Sequence, residues 1–534
     1  IQIRGFADAK PDTGSAPAGR RRRCAAGPGA SAMTKRLSAA LWKQLLQRSA
    51  RPSLSIQAQI REMLVTAILE GQLPAGMPVP SSRDLASHLG VARNTVVLAY
   101  RQLSDDGYLI SRERSGNFVN PDLVRHRQRP GGRAAPAPVP ASSRPDWHSR
   151  FRLHASMQRN IVKPSDWQRF PYPFLYGQFD SSLFPTADWR ECCLKALSVL
   201  DIRDWAPDLI ARDDEALVQQ IASRVLPRRG VWATADEIIV TVGAQQALYL
   251  LADLLLKPGT RLAVEEPGYP DARNIFANRT ERLLPVPVDD EGLVVDDRLR
   301  DVDYVYATPS HQCPTSVTMP LGRREALLRS ADEHDFVVIE DDFESENRFD
   351  GEPIPALKSL DRHERVIYVG SLSKMLAPGL RIGFVVGPPE LIVELRALRR
   401  LMIRHPSAFI QRAFALFLSL GHYDAQMRRI SVAQRERGAL VLQAMARYAP
   451  QCRLVPVMGG GSYWVELPRG VAADDLAAAA RAEGVLVEPG DVFFLAEQPP
   501  GGFVRLGYQS ITPRQIEPGI KALAGVIARL ESRA

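Results

Sequence analysis

Apolar positions early in the chain recur at helical spacing. Ile56, Ile60, Met63, Leu64, Ala67 and Ile68 mark one side of a helix that stops near Gly71. Pro74, Gly76 and Pro78 make a turn, and Ser81, three residues before Asp84, has the capping-box spacing that opens a second helix, ended by Gly90. A third helix begins near Arg93. Its Val96, Ala99, Tyr100 and Leu103 fall inward, which turns Arg93, Asn94, Val97 and Arg101 outward. Between 107 and 119 the period shifts to two, as in a hairpin. Two short helices at a tight turn followed by a hairpin describe a winged helix-turn-helix.

A second pattern starts near 165. Strand-like apolar runs at 237–242, 261–265, 283–288, 304–307, 336–340, 366–369 and 382–386 alternate with helical stretches. This predicts an α/β domain with a mostly parallel sheet and helices on both faces, whose ligands sit at the carboxyl ends of the strands. The remainder, 400–534, reads as helix-rich with strands at 461–467 and 503–507. It is expected to form a smaller subdomain together with residues just before 200.

Composition changes the picture at the edges. A length of 534 residues predicts two or three domains. No apolar run approaches the roughly 20 residues that span a bilayer. A net charge of +8 is informative only where basic groups share a face. The five cysteines form no CxxC pair, so neither a disulfide framework nor a metal site is expected, and the setting is a reducing cytoplasm. Residues 1–32, with Arg20 to Arg23 in a row and no hydrophobic period, read as a disordered or untranslated leader before Met33. Residues 33–120 then hold the winged helix-turn-helix. A Pro- and Arg-rich linker covers 121–164, and the α/β domain runs over 165–534.

The chemistry gathers at two strand ends. The run at 366–369 empties into a turn carrying Ser371, Ser373 and Lys374, with Arg381 seven residues beyond the lysine. The run at 336–340 ends in Asp341 and Asp342. An amine, a carboxylate and a hydroxyl/arginine cradle are what pyridoxal 5′-phosphate requires. The lysine forms the Schiff base, the carboxylate keeps the pyridine nitrogen protonated and the cradle holds the phosphate. Gly243, Ala244 and Gln245 link a third strand to a helix start, where free N–H groups suit a phosphate.

Residues 337–388, VVIEDDFESENRFDG…PALKSLD…VIYVGSLSKMLAPGLRIGFVVGP, resemble the core of fold-type I aminotransferases in the version carried by MocR/GabR-type bacterial regulators. The stretch LPAGMPVPSSRDLASHLGVARNTVVLAYRQLSDDGYLISRERSGNFV resembles the GntR-type DNA-binding domain. The two likenesses cover roughly 53–120 and 165–534, in that group's domain order. They imply that Arg83, Arg93, Asn94 and Thr95 meet operator DNA, with Arg114, Ser115 and Gly116 in the wing. Ala92 stands where the usual GVSR motif has serine.

On the cofactor side the likeness implies that Gly243, Ala244, Gln245, Ser371, Ser373 and Arg381 hold the phosphate and that Tyr269 stacks on the ring. It also implies that His311 lies toward the ring's phenolic oxygen, that Asp341 stays ionised on the pyridine nitrogen and that Arg505 binds a carboxylate. Three departures stand out: Phe343 in place of tyrosine, Cys313 in place of the asparagine of true aminotransferases, and Ser316 in place of glycine. A fourth lies at 213–217, expected to border the active site. The reading implied is a homodimeric transcriptional regulator that senses pyridoxal phosphate, an amine or an amino acid through an internal aldimine, with weak or no transaminase turnover. The alternative is an active aminotransferase with an accessory DNA-binding domain.

Overall fold

The computed structural model describes residues 39–49, 51, 54–112, 115–122, 145–344, 354–455, 457, 459–496, 499 and 502–533. The leader, half of the linker (123–144) and Arg114 lie outside the described residues. The chain folds as two units, and the division between them falls after Trp147.

The N-terminal unit packs four helices, α1 (Ala39–Arg48), α2 (Ile56–Leu69), α3 (Ser82–Leu89) and α4 (Arg93–Asp105), with a hairpin of β1 (Leu109–Arg112) and β2 (Gly116–Val119). The inward positions of the third predicted helix, α4, are buried as their spacing requires, with Val96, Ala99 and Leu103 fully shielded. The hairpin register pairs Leu109 with Val119 and Arg112 with Gly116. Helix α1 goes beyond the elements that apolar spacing predicts. Its Trp42 and Leu45 complete the core of this unit.

The larger unit is built on eight strands: β3 (Ile238–Thr241), β4 (Arg261–Glu266), β5 (Arg282–Asp289), β6 (Gly292–Leu293), β7 (Tyr304–Ala307), β8 (Val337–Asp342), β9 (Val366–Ser371) and β10 (Gly383–Val386). Their order is β3-β10-β9-β8-β7-β4-β5-β6. The central five are parallel, while β10 runs antiparallel to both of its neighbours and β6 folds back on β5. Alternate residues go to opposite cores. Ile239, Ile367, Val369 and Val385 meet the helix α5 (Gly243–Leu255), whereas Ile238, Val240, Tyr368 and Phe384 meet the other face.

A four-stranded sheet, with Ser462–Glu466 and Phe503–Gly507 at its centre, carries the smaller core. The helix just before 200 does not belong to it. Thr186–Ala196 packs against Ala408–Ser419, and its Cys192 joins the core on the large sheet's face. The end of the composition-defined linker also needs redrawing. Gln158 donates to Asn278 at 2.8 Å and Arg159 to the carbonyls of Phe494 and Ala496, so this strap is part of the larger unit. Among the described residues no helix is long and apolar enough to cross a membrane.

Candidate functional site

The carboxyl ends of β8 and β9 open onto a cavity of about 310 Å³. Register places them side by side, with Asp341 opposite Val369 and Asp342 opposite Gly370. Gly243, Ala244, Gln245, Tyr269, Asp341, Ser371, Ser373, Lys374, Arg381 and Arg505 all line the cavity.

One end is shaped for an anion. Helix α5 begins at Gly243 without a side-chain cap, so the amides of its first turn point at the cavity end with the positive end of the helix dipole. Gly243 has φ of 72°, a backbone conformation that favours glycine, and a Cβ there would lie 2.9 Å from the Arg381 guanidinium and push it aside. Arg381 bonds the Val242 carbonyl at 3.1 Å and has no carboxylate partner among the described residues. Ser373 differs from its expected role. Its hydroxyl accepts from the Ile382 amide at 3.0 Å and donates to the Ile382 carbonyl, bracing the turn and leaving the Ser371 hydroxyl for a ligand.

The floor is polar and incomplete. Asp341 accepts a hydrogen bond from Tyr306 at 2.8 Å on Oδ2, while its buried Oδ1 has no partner among the described residues. Burial, reinforced by Asp342 and resisted by the Tyr306 bond, pushes the Asp341 carboxyl up to about 7. A positive charge at Oδ1, such as the pyridine nitrogen expected there from the sequence, acts against this shift and favours the ionised carboxylate. An unsatisfied buried acceptor is costly until something donates to it. Behind it, Asp342 is engaged by Arg229 at 2.9 Å and by the Tyr368 hydroxyl at 2.7 Å. An uncapped helix start beside an arginine with no carboxylate partner, and a carboxylate oxygen with no partner, both among the described residues, are the two ends that pyridoxal 5′-phosphate needs, and the residues fit it.

Between these ends sits Lys374. Burial lowers its pKa, with Arg505 acting in the same direction against the pull of Glu344. A larger neutral fraction makes the amine a better nucleophile. Its Nζ lies 4.7 Å from the centre of the Tyr176 ring and 6.0 Å from that of Phe343. Tyr269 lines the same cavity and donates to Asp271 at 3.1 Å.

The far end is built around Arg505. Arg505 is sandwiched between Tyr176 and Phe493, 4.3 and 4.6 Å from their ring centres, and its Nε is bound to Glu488 at 2.7 Å. Cys313 also lines this end, and burial pushes its thiol up to about 12, so it remains protonated. Lys163, Ile161 and Tyr176 belong to the cavity too. The signal for the first two was hidden because they follow a Pro/Arg-rich stretch without period.

His311 is buried but does not line the cavity. It lies beside Gly460, whose added Cβ would be 3.6 Å from its ring. Its neighbour Ser316 has φ of 61°, the left-handed region where glycine is favoured. The 213–217 segment is likewise elsewhere. Asp213 binds the buried Arg399 at 2.5 Å, and Asp214 caps the helix Glu215–Gln220.

In the N-terminal unit Arg83, Arg93, Asn94, Ser115 and Gly116 are exposed and Thr95 is half-buried. Ala92 gives α4 no side-chain cap, so the amides at the start of that helix remain open to an anion. Arg112 covers the Phe118 ring at 4.6 Å, stiffening the wing.

Residues 209–523 match the family model for aminotransferase class I and II, and residues 56–119 match that for bacterial regulatory proteins of the gntR family. The HTH-type transcriptional regulator TauR of Rhodobacter capsulatus is 43% identical, over 88% of this chain and 96% of its own length. The probable rhizopine catabolism regulatory protein MocR of Rhizobium meliloti is 32% identical over 89% of this chain and 94% of its own. Among solved structures, α-aminoadipate aminotransferase LysN from Thermus thermophilus, complexed with N-(5′-phosphopyridoxyl)-L-leucine, superposes with a TM-score of 0.67 at 28% identity. It covers 73% of this chain and all of its own. The cofactor of the larger unit is pyridoxal 5′-phosphate.

Proposed function

We propose, for a chain that belongs to the MocR/GabR-type transcriptional regulators, with a gntR-family DNA-binding head and an aminotransferase class I and II body, that the cofactor site senses an amino compound rather than turning it over. One observation supports this reading: a cavity lined by an amine, a carboxylate and an anion-binding end also carries two side chains, Phe343 and Cys313, that bring no ionised group. The bound cofactor supplies an electrophilic carbon for an amine. Lys374 would supply the amine that holds the cofactor and is the group placed to move a proton. Asp341 would hold the ring nitrogen, Arg381 and the α5 amides would hold the phosphate, and Tyr269 would exclude water from one face.

Lys374→Ala tests the assignment. Borohydride is expected to fix cofactor covalently in the wild type at this residue and not in the variant. Amino compounds are expected to shift the visible band and to change operator affinity without releasing a keto acid. Sustained keto-acid release would instead support an active transaminase.

The working species is taken to be a homodimer in the cytoplasm, where the operator is. Leu197, Val199, Leu200 and Leu401 are all at least half exposed and supply apolar surface for a second copy.

A further inference from the structure

The cavity end opposite the phosphate cradle contains more positive charge than one carboxylate-binding arginine provides. Glu488, itself 2% exposed, is shared by two cations. Its Oε2 accepts from Arg505 Nε at 2.7 Å, and its Oε1 lies 3.4 Å from Lys163 Nζ. Lys163 also donates to the Tyr176 carbonyl. Glu344, buried beside Tyr176, also acts on Arg505 and Lys374, so three cations, Arg505, Lys163 and Lys374, face two carboxylates, which leaves a surplus of one positive charge beside the apolar walls of Tyr176, Phe493 and Cys313. Lys163 and Arg505 both have donors to spare. Lysine has three N–H groups and arginine five, and the hydrogen bonds described use one of the former, the Glu488 contact being an ion pair, and two of the latter, counting the long contact to Cys313 at 3.8 Å. Lys374 and Lys163 meet around one point: a Cβ on Gly177 would lie 3.1 Å from the first Nζ and 3.7 Å from the second. Gly177, at φ of 67°, leaves that space open.

We infer that Lys163 is a specificity-determining residue of the effector site, closing with Arg505 on a singly charged acid group of a short amino acid whose amine lies at Lys374. The inference rests on the sensor reading above and deepens it. A simple amine would leave the surplus charge unanswered. An acid group answers it with charge-assisted hydrogen bonds from two sides. Burial and the neighbouring Arg505 and Lys374 also lower the Lys163 pKa against the pull of Glu488, and an anion there would restore full protonation.

The test uses the full-length, cofactor-loaded protein and reads its visible band. Glycine, β-alanine and γ-aminobutyrate are titrated against ethylamine, propylamine and butylamine, in which a methyl group replaces the carboxylate. At least one acid is expected to bind about tenfold or more tightly than its amine, the scale of a hydrogen-bonded charge. Lys163→Met and Lys163→Gln should bring that ratio close to one, and Lys163→Arg should retain it. An unchanged ratio in the neutral variants, its loss in Lys163→Arg, or no acid preference in the wild type would each overturn the inference while leaving the sensor reading intact. A wild type whose band responds to no compound would instead overturn the sensor reading, and this inference with it.

Discussion

Phe343 shows how one side chain sets the register of a cofactor site. It lines the cavity with its ring centre 6.0 Å from Lys374 Nζ and brings no donor. Phe343→Tyr is expected to bring a hydroxyl toward the cofactor's ring oxygen. A hydrogen bond to that charged oxygen contributes about 1.5–3 kcal/mol and draws charge from it, which weakens its hold on the neighbouring protonated nitrogen. The midpoint of the visible-band titration is therefore expected to fall by about one pH unit. Identical titration curves for the two proteins would place residue 343 away from the ring oxygen. Chemistry-bearing residues were legible individually where a motif fixed both type and spacing, as for Lys374, Asp341 and Arg381. Lys163, Tyr176 and Glu488 were not, because the first two line the cavity from a stretch without period, the third meets it only through Lys163 and Arg505, and none sits in a local pattern.

At the scale of elements, the apolar period located all seven strands that it predicted in the large sheet, to within about two residues at their ends. It missed the two-residue strand Gly292–Leu293, too short to show a period. It missed α1 for a related reason: Trp42 and Leu45 are its only buried positions, fewer than a repeat needs. Helix α4 carries the DNA expectation. Arg93 is exposed in its first turn, beside amides that no side chain caps. Arg93→Ala is expected to weaken binding to the DNA protected upstream of its own gene by about 1–3 kcal/mol while leaving the visible band unchanged. Unchanged affinity in a fluorescence-anisotropy titration would move the DNA-contacting surface off this helix.

Across the whole molecule, burial of acids at the large sheet predicts how cofactor-free protein responds to pH. Asp341 and Glu265 are both pushed up to about 7, chiefly by burial, from ordinary values of 3.8 and 4.5. A raised folded-state pKa means that the native state holds protons that the unfolded chain releases, so stability is lost as pH rises through about 4 to 7. Asp342 works in the opposite sense: held below its ordinary value against burial by Arg229, it contributes stability that is lost only as pH falls through the acid range. Melts of cofactor-free protein between about pH 5.5 and 8 are expected to show a falling midpoint. Cofactor-loaded protein should fall less, because the ring nitrogen pairs the Asp341 charge. Parallel curves for the two forms would remove Asp341 from the ring nitrogen. The two-unit layout was legible in the change of hydrophobic period. The join was not, because composition marks where a chain looks like a linker and not where it begins to touch something. That difference limits modularity. An exchange of DNA-binding heads spliced at residue 164 would discard Gln158 and Arg159, which tie the strap down, and Ile161 and Lys163, which form cavity wall. The interchangeable cassette ends before Gln158, and a chimera cut any later would carry a body with a breach in its own binding site.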